Sequence, residues 1–190
     1  MINKLIKYFE NKKILILGFG IEGRSTYNFI RKYFPNKKLY IADKNNNLKL
    51  KDDNVQINCG VAYLENLDDY DIIMKSPGIS LKGIDTSKIK EKIKSQLELL
   101  LENFNVYTIG ITGTKGKSTT SSLIYEILKA QNKKVLLMGN IGVPAFDCLE
   151  QIKENMYLVL EMSSHQLEFM DYSPNISIIL NVYEEHLDHY

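Results

Sequence analysis

The chain has almost no net charge: its 190 residues set 24 Lys and Arg against 23 Asp and Glu. That balance argues against a protein whose main work is gripping nucleic acid, which needs a basic surface to meet phosphates. No apolar run approaches the roughly 18 residues that a membrane-spanning helix requires. The opening segment, MINKLIKYFE, lacks the apolar stretch of an export signal and patterns instead as a short amphipathic helix. Cysteine is scarce. Cys59 and Cys148 are far apart and have no partners at metal spacing, so both are expected to be reduced and buried. Internal repeats and low-complexity segments are lacking. These absences predict a cytoplasmic protein with neither nucleic acid nor membrane as partner.

What remains is ordinary globular composition, 44% apolar and 25% charged. Apolar runs of strand length alternate with helical patterns along the whole chain. Strands are expected at 13–17, 38–42, 55–59, 71–75, 106–111, 134–138, 157–161 and 177–181, and helices at 23–32, 95–103, 118–130 and 144–153. Most strands read as continuous Ile, Leu and Val, as strands covered on both faces do. The rhythm predicts α/β architecture with parallel sheets. Two glycine-rich loops follow two different strands, and one doubly wound sheet usually has a single leading phosphate loop. Two α/β units are therefore expected, joined within the Lys-rich stretch 82–95, whose lysines read as a solvated helix face.

The first loop lies in ILILGFGIEGRS, a G-x-G-x-x-G of Gly18, Gly20 and Gly23 between a strand and a helix. Such glycines allow a tight turn, approach of backbone to phosphate and close helix–strand packing. The helix start then favours an anion. Asp43 follows Gly23 by 20 residues, at the end of the next strand, where a ribose would be held. Taken alone this predicts NAD, although a nucleotide sugar or FAD can use the same turn.

The second loop lies in YTIGITGTKGKSTT. Gly116-Lys117-Ser118 is the core of a P-loop: backbone N–H groups cradle phosphates, Lys117 reaches the terminal ones and Ser118 can ligate Mg²⁺. Ile111 stands where the strict pattern has glycine, and Gly113 supplies it instead. The ATP loop is thus the shortened run Gly113, Thr114, Lys115, Gly116, Lys117, Ser118 and Thr119. Then, 44 residues after Lys117, an apolar strand ends in Glu161. A carboxylate there suits a Mg²⁺ opposite the phosphates. The next strand, ISIILN, leads into Val182-Tyr183-Glu184-Glu185-His186-Leu187-Asp188-His189. His186 and His189 fall short of a zinc site, which needs more ligands than are visible. His165 is given no chemistry.

Four segments together, TGTKGKSTT, Gly139-Asn140-Ile141-Gly142, LEMSSHQLE and LNVYEEHLD, resemble the Mur ligase family, the ATP-dependent amide ligases of peptidoglycan synthesis. Within it, GFGIEGRS, the turn Lys75-Ser76-Pro77-Gly78-Ile79 and the Ser and Gln of SSHQLE are similar to the members that add D-glutamate to UDP-N-acetylmuramoyl-L-alanine. The resemblance implies a Rossmann-like domain over residues 1–94 that holds UDP rather than NAD. It also implies the first part of a P-loop ATPase-type α/β domain over 95–190. On that basis Gly18, Gly20, Ile21, Glu22 and Gly23 approach the diphosphate, and Asp43 and Lys44 lie at the uridine end. Ser76, Pro77 and Gly78 close the pocket, and Asn140 touches the muramoyl substrate. Lys117, Glu161 and His186 carry the catalysis. Ser118 and Glu161 hold one Mg²⁺, and His186 helps hold a second.

Two residues depart from the family pattern: Lys115 where Asn is usual and His189 where Arg is common. The family's central domain also continues past the HLD segment to a lysine, usually carbamylated, and a third domain then binds the incoming amino acid. The chain is therefore expected to be an N-terminal fragment without the D-glutamate site, inactive alone. The rival readings are another Mur-type amide ligase, a non-catalytic nucleotide-binding module and a NAD-dependent oxidoreductase.

Overall fold

A computed structural model of the protein describes residues 2–139 and 143–185. The chain begins with helix α1 (Ile2–Phe9), β1 (Ile14–Leu17), α2 (Ile21–Tyr33), β2 (Leu39–Asp43), β3 (Val55–Cys59) and β4 (Ile72–Lys75). A two-residue β5 (Ile93–Lys94) and α3 (Gln96–Asn103) follow. The second set comprises β6 (Tyr107–Thr112), α4 (Lys117–Ala130), β7 (Val135–Gly139), α5 (Ala145–Cys148), β8 (Tyr157–Glu161), α6 (Ser164–Leu167) and β9 (Ile176–Ile179).

Two sheets result, ordered β3-β2-β1-β4-β5 and β7-β8-β6-β9, with every pairing parallel. This is the α/β architecture read from the alternating runs. β1 and β4 are buried at every position, which explains their unbroken apolar sequence. In the first sheet the chain moves outward from β1 on both sides, so a crevice opens beyond its carboxyl end. Leu17 pairs with Ala42 on one side and Lys75 on the other, so Gly18, Asp43 and Ser76 emerge at one edge. In the second sheet Ile111 of β6 pairs with Glu161 of β8, so Glu161 stands beside the strand that leads into the second glycine loop.

The joint read at 82–95 is different in kind from the expected helix. It contains turns, a 3₁₀ turn at Lys90–Lys92 and β5, which extends the first sheet. Leu81, Ile89 and Ile93 are buried there and anchor it to the sheet core, while Lys82, Lys88 and Lys90 face solvent. The helix expected over 144–153 shrinks to α5 and a 3₁₀ turn at Leu149–Gln151. Cys148 is buried as expected, but Cys59 is half exposed.

The two sheets share one apolar cluster. It draws Leu5 and Phe9 from α1, Phe29 and Ile30 from α2, Leu97 and Leu100 from α3, Phe146 from α5, and Leu158 and Leu160 from β8. Buried Gln96 lies in this cluster with its side chain fully used. Its Nε2 donates to the Glu22 carbonyl (3.0 Å) and Thr26 Oγ1 (2.9 Å), and its Oε1 accepts from the Phe146 N–H (3.0 Å). An amide in an apolar core is tolerated only when its donors and acceptor are met. Here it pins α2, α3 and α5 in one arrangement.

Candidate functional site

The first glycine loop is built by exclusion. Gly18 has φ +89°, and a Cβ on it would lie 2.8 Å from Ile79 Cγ1 and 2.9 Å from Ser76 Cβ. Gly23 sits inside α2, where a Cβ would fall 2.0 Å from the Gly18 carbonyl oxygen. A Cβ on Gly20 would meet nothing within 4 Å. Two glycines thus serve close packing, and the middle one leaves open space on the ligand side. Asp43 and Ser76 hold the loop from either flank. Asp43 Oδ2 accepts from the Phe19 N–H (2.6 Å) and Oδ1 from the Asn45 N–H (2.8 Å), while Ser76 Oγ donates to the Gly18 carbonyl (2.9 Å).

A cavity of about 360 Å³ opens over this loop. Its walls are Gly18, Gly20, Ile21 and Glu22 from the loop, Asp43 and Lys44 from the end of β2, and Ser76, Pro77 and Gly78 from the turn after β4. Gly139 and Pro144, from the second sheet's side, close it. Gly23 does not line it, because that residue is spent on helix–loop packing. Asn140 lies outside the described residues, although its neighbour Gly139 is on the wall.

The second loop runs between β6 and α4. Gly116 precedes α4 at φ +88°, a backbone state that favours glycine. Lys117 is turned into the loop, where its Nζ donates to the Gly113 and Thr114 carbonyls. Lys115, Ser118 and Thr119 are exposed around the start of α4. The segment after β9 braces the loop from outside. Asn181 forms a two-bond clamp on Lys115, accepting its N–H at Oδ1 and donating Nδ2 to its carbonyl, both at 2.9 Å. The Asn181 carbonyl accepts the Thr114 N–H (3.0 Å), and Thr114 Oγ1 accepts the Tyr183 N–H (3.0 Å). Sequence reasoning saw Asn181 only as a polar strand end, because nothing local reveals a partner 66 residues away.

Glu161 closes β8 and is 1% exposed. Among the described residues no group of three or more His, Cys, Asp and Glu side chains converges as a metal cage. The Ser118 hydroxyl and the Glu161 carboxylate are nonetheless the hard oxygen donors that Mg²⁺ prefers, and phosphates commonly complete such a shell. His186, expected at a second metal, lies outside the described residues, as does His189.

Polar links cross between the two loops' surroundings. Gln166 of α6 donates from Nε2 to Glu22 Oε1 (2.8 Å). Its Oε1 accepts from the Ser163 N–H (3.0 Å), completing a capping box at the start of α6. Lys75 is buried, pairs with Glu168 at 3.3 Å and lies 5.6 Å from the Phe169 ring centre. Burial pushes the Glu22 carboxyl up to about 7, with the Gln166 hydrogen bond and the Lys75 charge acting against it. Burial likewise lowers the Lys75 ammonium, opposed by Glu168. Lys75 and Glu168 were not singled out from sequence; a lysine ending an apolar strand and a glutamate after a helical turn give no local sign of pairing.

With this geometry in view, the comparisons with known proteins are direct. Residues 12–100 match the family described as Mur ligase MurD-like, N-terminal domain, and residues 111–190 match the Mur ligase middle domain. The chain belongs to the Mur ligase family. It is similar to the UDP-N-acetylmuramoylalanine--D-glutamate ligase of Clostridium botulinum, with 36% identity over 98% of this chain and 42% of the relative. The ligase of the same name from Acetivibrio thermocellus is 34% identical, again over 98% and 42%. Thus the chain spans 42% of the length of these curated relatives. Among solved structures, the UDP-N-acetylmuramate-alanine ligase of Thermotoga maritima has a TM-score of 0.47 and 22% identity, covering 95% of this chain and 44% of that one.

Proposed function

We propose that the chain carries the substrate-nucleotide site and the first part of the ATP site of a cytoplasmic ligase that adds D-glutamate to UDP-N-acetylmuramoyl-L-alanine in peptidoglycan precursor synthesis. The division falls near residue 94, where β5 ends. The observation that carries this reading is one cavity with two owners. Its floor is a diphosphate-type glycine loop, and its lid residues, Gly139 and Pro144, come from the sheet that bears the P-loop. A UDP-linked substrate lying there would direct its far end toward the phosphates of ATP.

In the proposed reaction the L-alanyl carboxylate attacks the γ-phosphate of ATP, giving an acyl phosphate and ADP. The amine of D-glutamate then displaces phosphate and forms the amide. Lys117 would exchange its two carbonyl partners for phosphate oxygens, and its charge would offset the charge developing during transfer. Ser118 and Glu161 would hold Mg²⁺, and His186 would help hold a second; the metal when bound neutralises phosphate charge. Loop N–H groups 113–119 would cradle the phosphates. Asn140 would orient the muramoyl arm. NAD is the weaker occupant, since an NAD site alone would leave the P-loop after β6 without a role.

Calorimetric titration with UDP-N-acetylmuramoyl-L-alanine, ATP and NAD tests this. Binding of the first two and not the third is expected. Tighter binding of NAD than of the UDP precursor would overturn the assignment.

A further inference from the structure

The described cavity has an unusual wall: Glu22 stands in the first turn of α2, where the diphosphate of the proposed substrate would seek N–H groups. Gly20 caps α2 without any side-chain hydrogen bond. The first-turn N–H groups are therefore left to an anion. Glu22 is itself an anion at that place, and hydrogen bonds hold it there. Its backbone carbonyl is held by Gln96 and its carboxyl by Gln166, 144 residues further along the chain. The site therefore sets two negative groups side by side when loaded.

The surrounding charges do not resolve the conflict. The Lys75 charge, at the end of β4, acts on Glu22, but Lys75 is shared with Glu168 after α6. Lys44 and Asp43 face the cavity together from the end of β2 and offset one another. Arg24, on the same helix, stacks on the Phe19 ring at 4.8 Å. Gln166 and Gln96 are neutral. We propose that Glu22 takes up one proton from solvent when a nucleoside diphosphate enters this cavity, so that ligand and proton bind together. The proposal rests on the cavity's reading as a UDP-precursor site. The raised titration range of Glu22 in the empty pocket, about 7, means that little further push is needed near neutrality. Chemically the step is simple: a carboxylate oxygen gains H⁺, no other bond changes, and the Gln166 N–H keeps an acceptor.

The test is isothermal titration with UDP-N-acetylmuramoyl-L-alanine, whose diphosphate diester does not titrate near neutrality, in buffers of different ionisation enthalpy. Wild-type protein should take up roughly 0.7 proton per site near pH 7.5, and its affinity should fall about five- to tenfold per pH unit above that. Glu22→Gln should bind with no uptake, with affinity flat from about pH 6.5 to 9 and above wild type at the alkaline end. Buffer-independent heats in the wild type overturn the proposal without any variant. Uptake that persists in Glu22→Gln overturns it too, since another group then takes the proton. Absence of UDP-precursor binding at every pH overturns the site's reading as well, so the two failures remain distinguishable.

Discussion

The two glycine loops look alike in sequence but are supported in opposite ways. The first leaves a strand buried at every position and is braced by Asp43 and Ser76, over a core shared with α1, α2 and α3. The second leads into α4, whose only buried residue is Ser121 and which exposes Leu123 and Ile127. Its brace, Asn181 with Tyr183, is a half-exposed segment beyond β9, itself mostly exposed. A loop anchored in a core is held by packing, whereas one anchored by a few surface hydrogen bonds can adjust to its ligand at low cost.

Packing gives the largest expected contrast. Leu17→Ala, in β1, should lower unfolding stability by about 2–5 kcal/mol, while Leu123→Ala, in α4, should change it by less than about 0.5 kcal/mol. Denaturant midpoints measure both, and similar losses would erase the distinction drawn here. Ligand binding comes next. Lys117→Ala should weaken ATP by roughly 1.5–3 kcal/mol, about ten- to hundredfold, and leave the UDP precursor unchanged. Equal damage to both ligands would mean a single shared site. In Mg²⁺ titrations of ATP affinity, Glu161→Gln should abolish most of the metal-dependent strengthening and His186→Ala should reduce it slightly. Equal effects would remove the ranking of the two proposed metal sites.

Smaller effects sharpen the comparison. Asn181→Ala should cost about 1 kcal/mol of ATP affinity, with Asn181→Asp in between, because it keeps the acceptor for the Lys115 N–H and loses the donor. No change in either would mean that the loop holds its shape unaided. Stability against pH tests Glu22 separately. The folded Glu22 carboxyl titrates near 7 rather than at the ordinary 4.5, so the folded state binds its proton more tightly than the unfolded state does. Stability should therefore fall as pH rises from about 4.5 to about 7 and then level off, through this group alone. Subtracting the Glu22→Gln curve isolates it; an unchanged slope would show that Glu22 is not the buried acid responsible.

Much of this was readable in advance because it is local. Continuous Ile, Leu and Val runs mark β1, β4 and β8 since both of their faces are covered, and the glycine at Gly23 reflects a clash with the Gly18 carbonyl a few residues before it. β5 was not readable, because two residues, Ile93 and Lys94, carry no period. Its strand character comes from pairing with Ile73 and Met74.

By itself the sequence determined the alternating α/β elements, the two glycine-rich turns and the acid at the end of β8, all of which depend on residues close together in the chain. Tertiary structure decided what those parts face. It set Gly139 and Pro144 over the first loop and turned Gln166 onto Glu22. It also paired Lys75 with Glu168 and clamped Lys115 with Asn181. Each of those contacts joins residues more than 60 positions apart, and side chains such as Gln, Lys and Asn suit a solvated surface equally well. Only burial distinguishes the two settings: it makes an unmet polar group costly, and so selects the one partner that folding brings within reach.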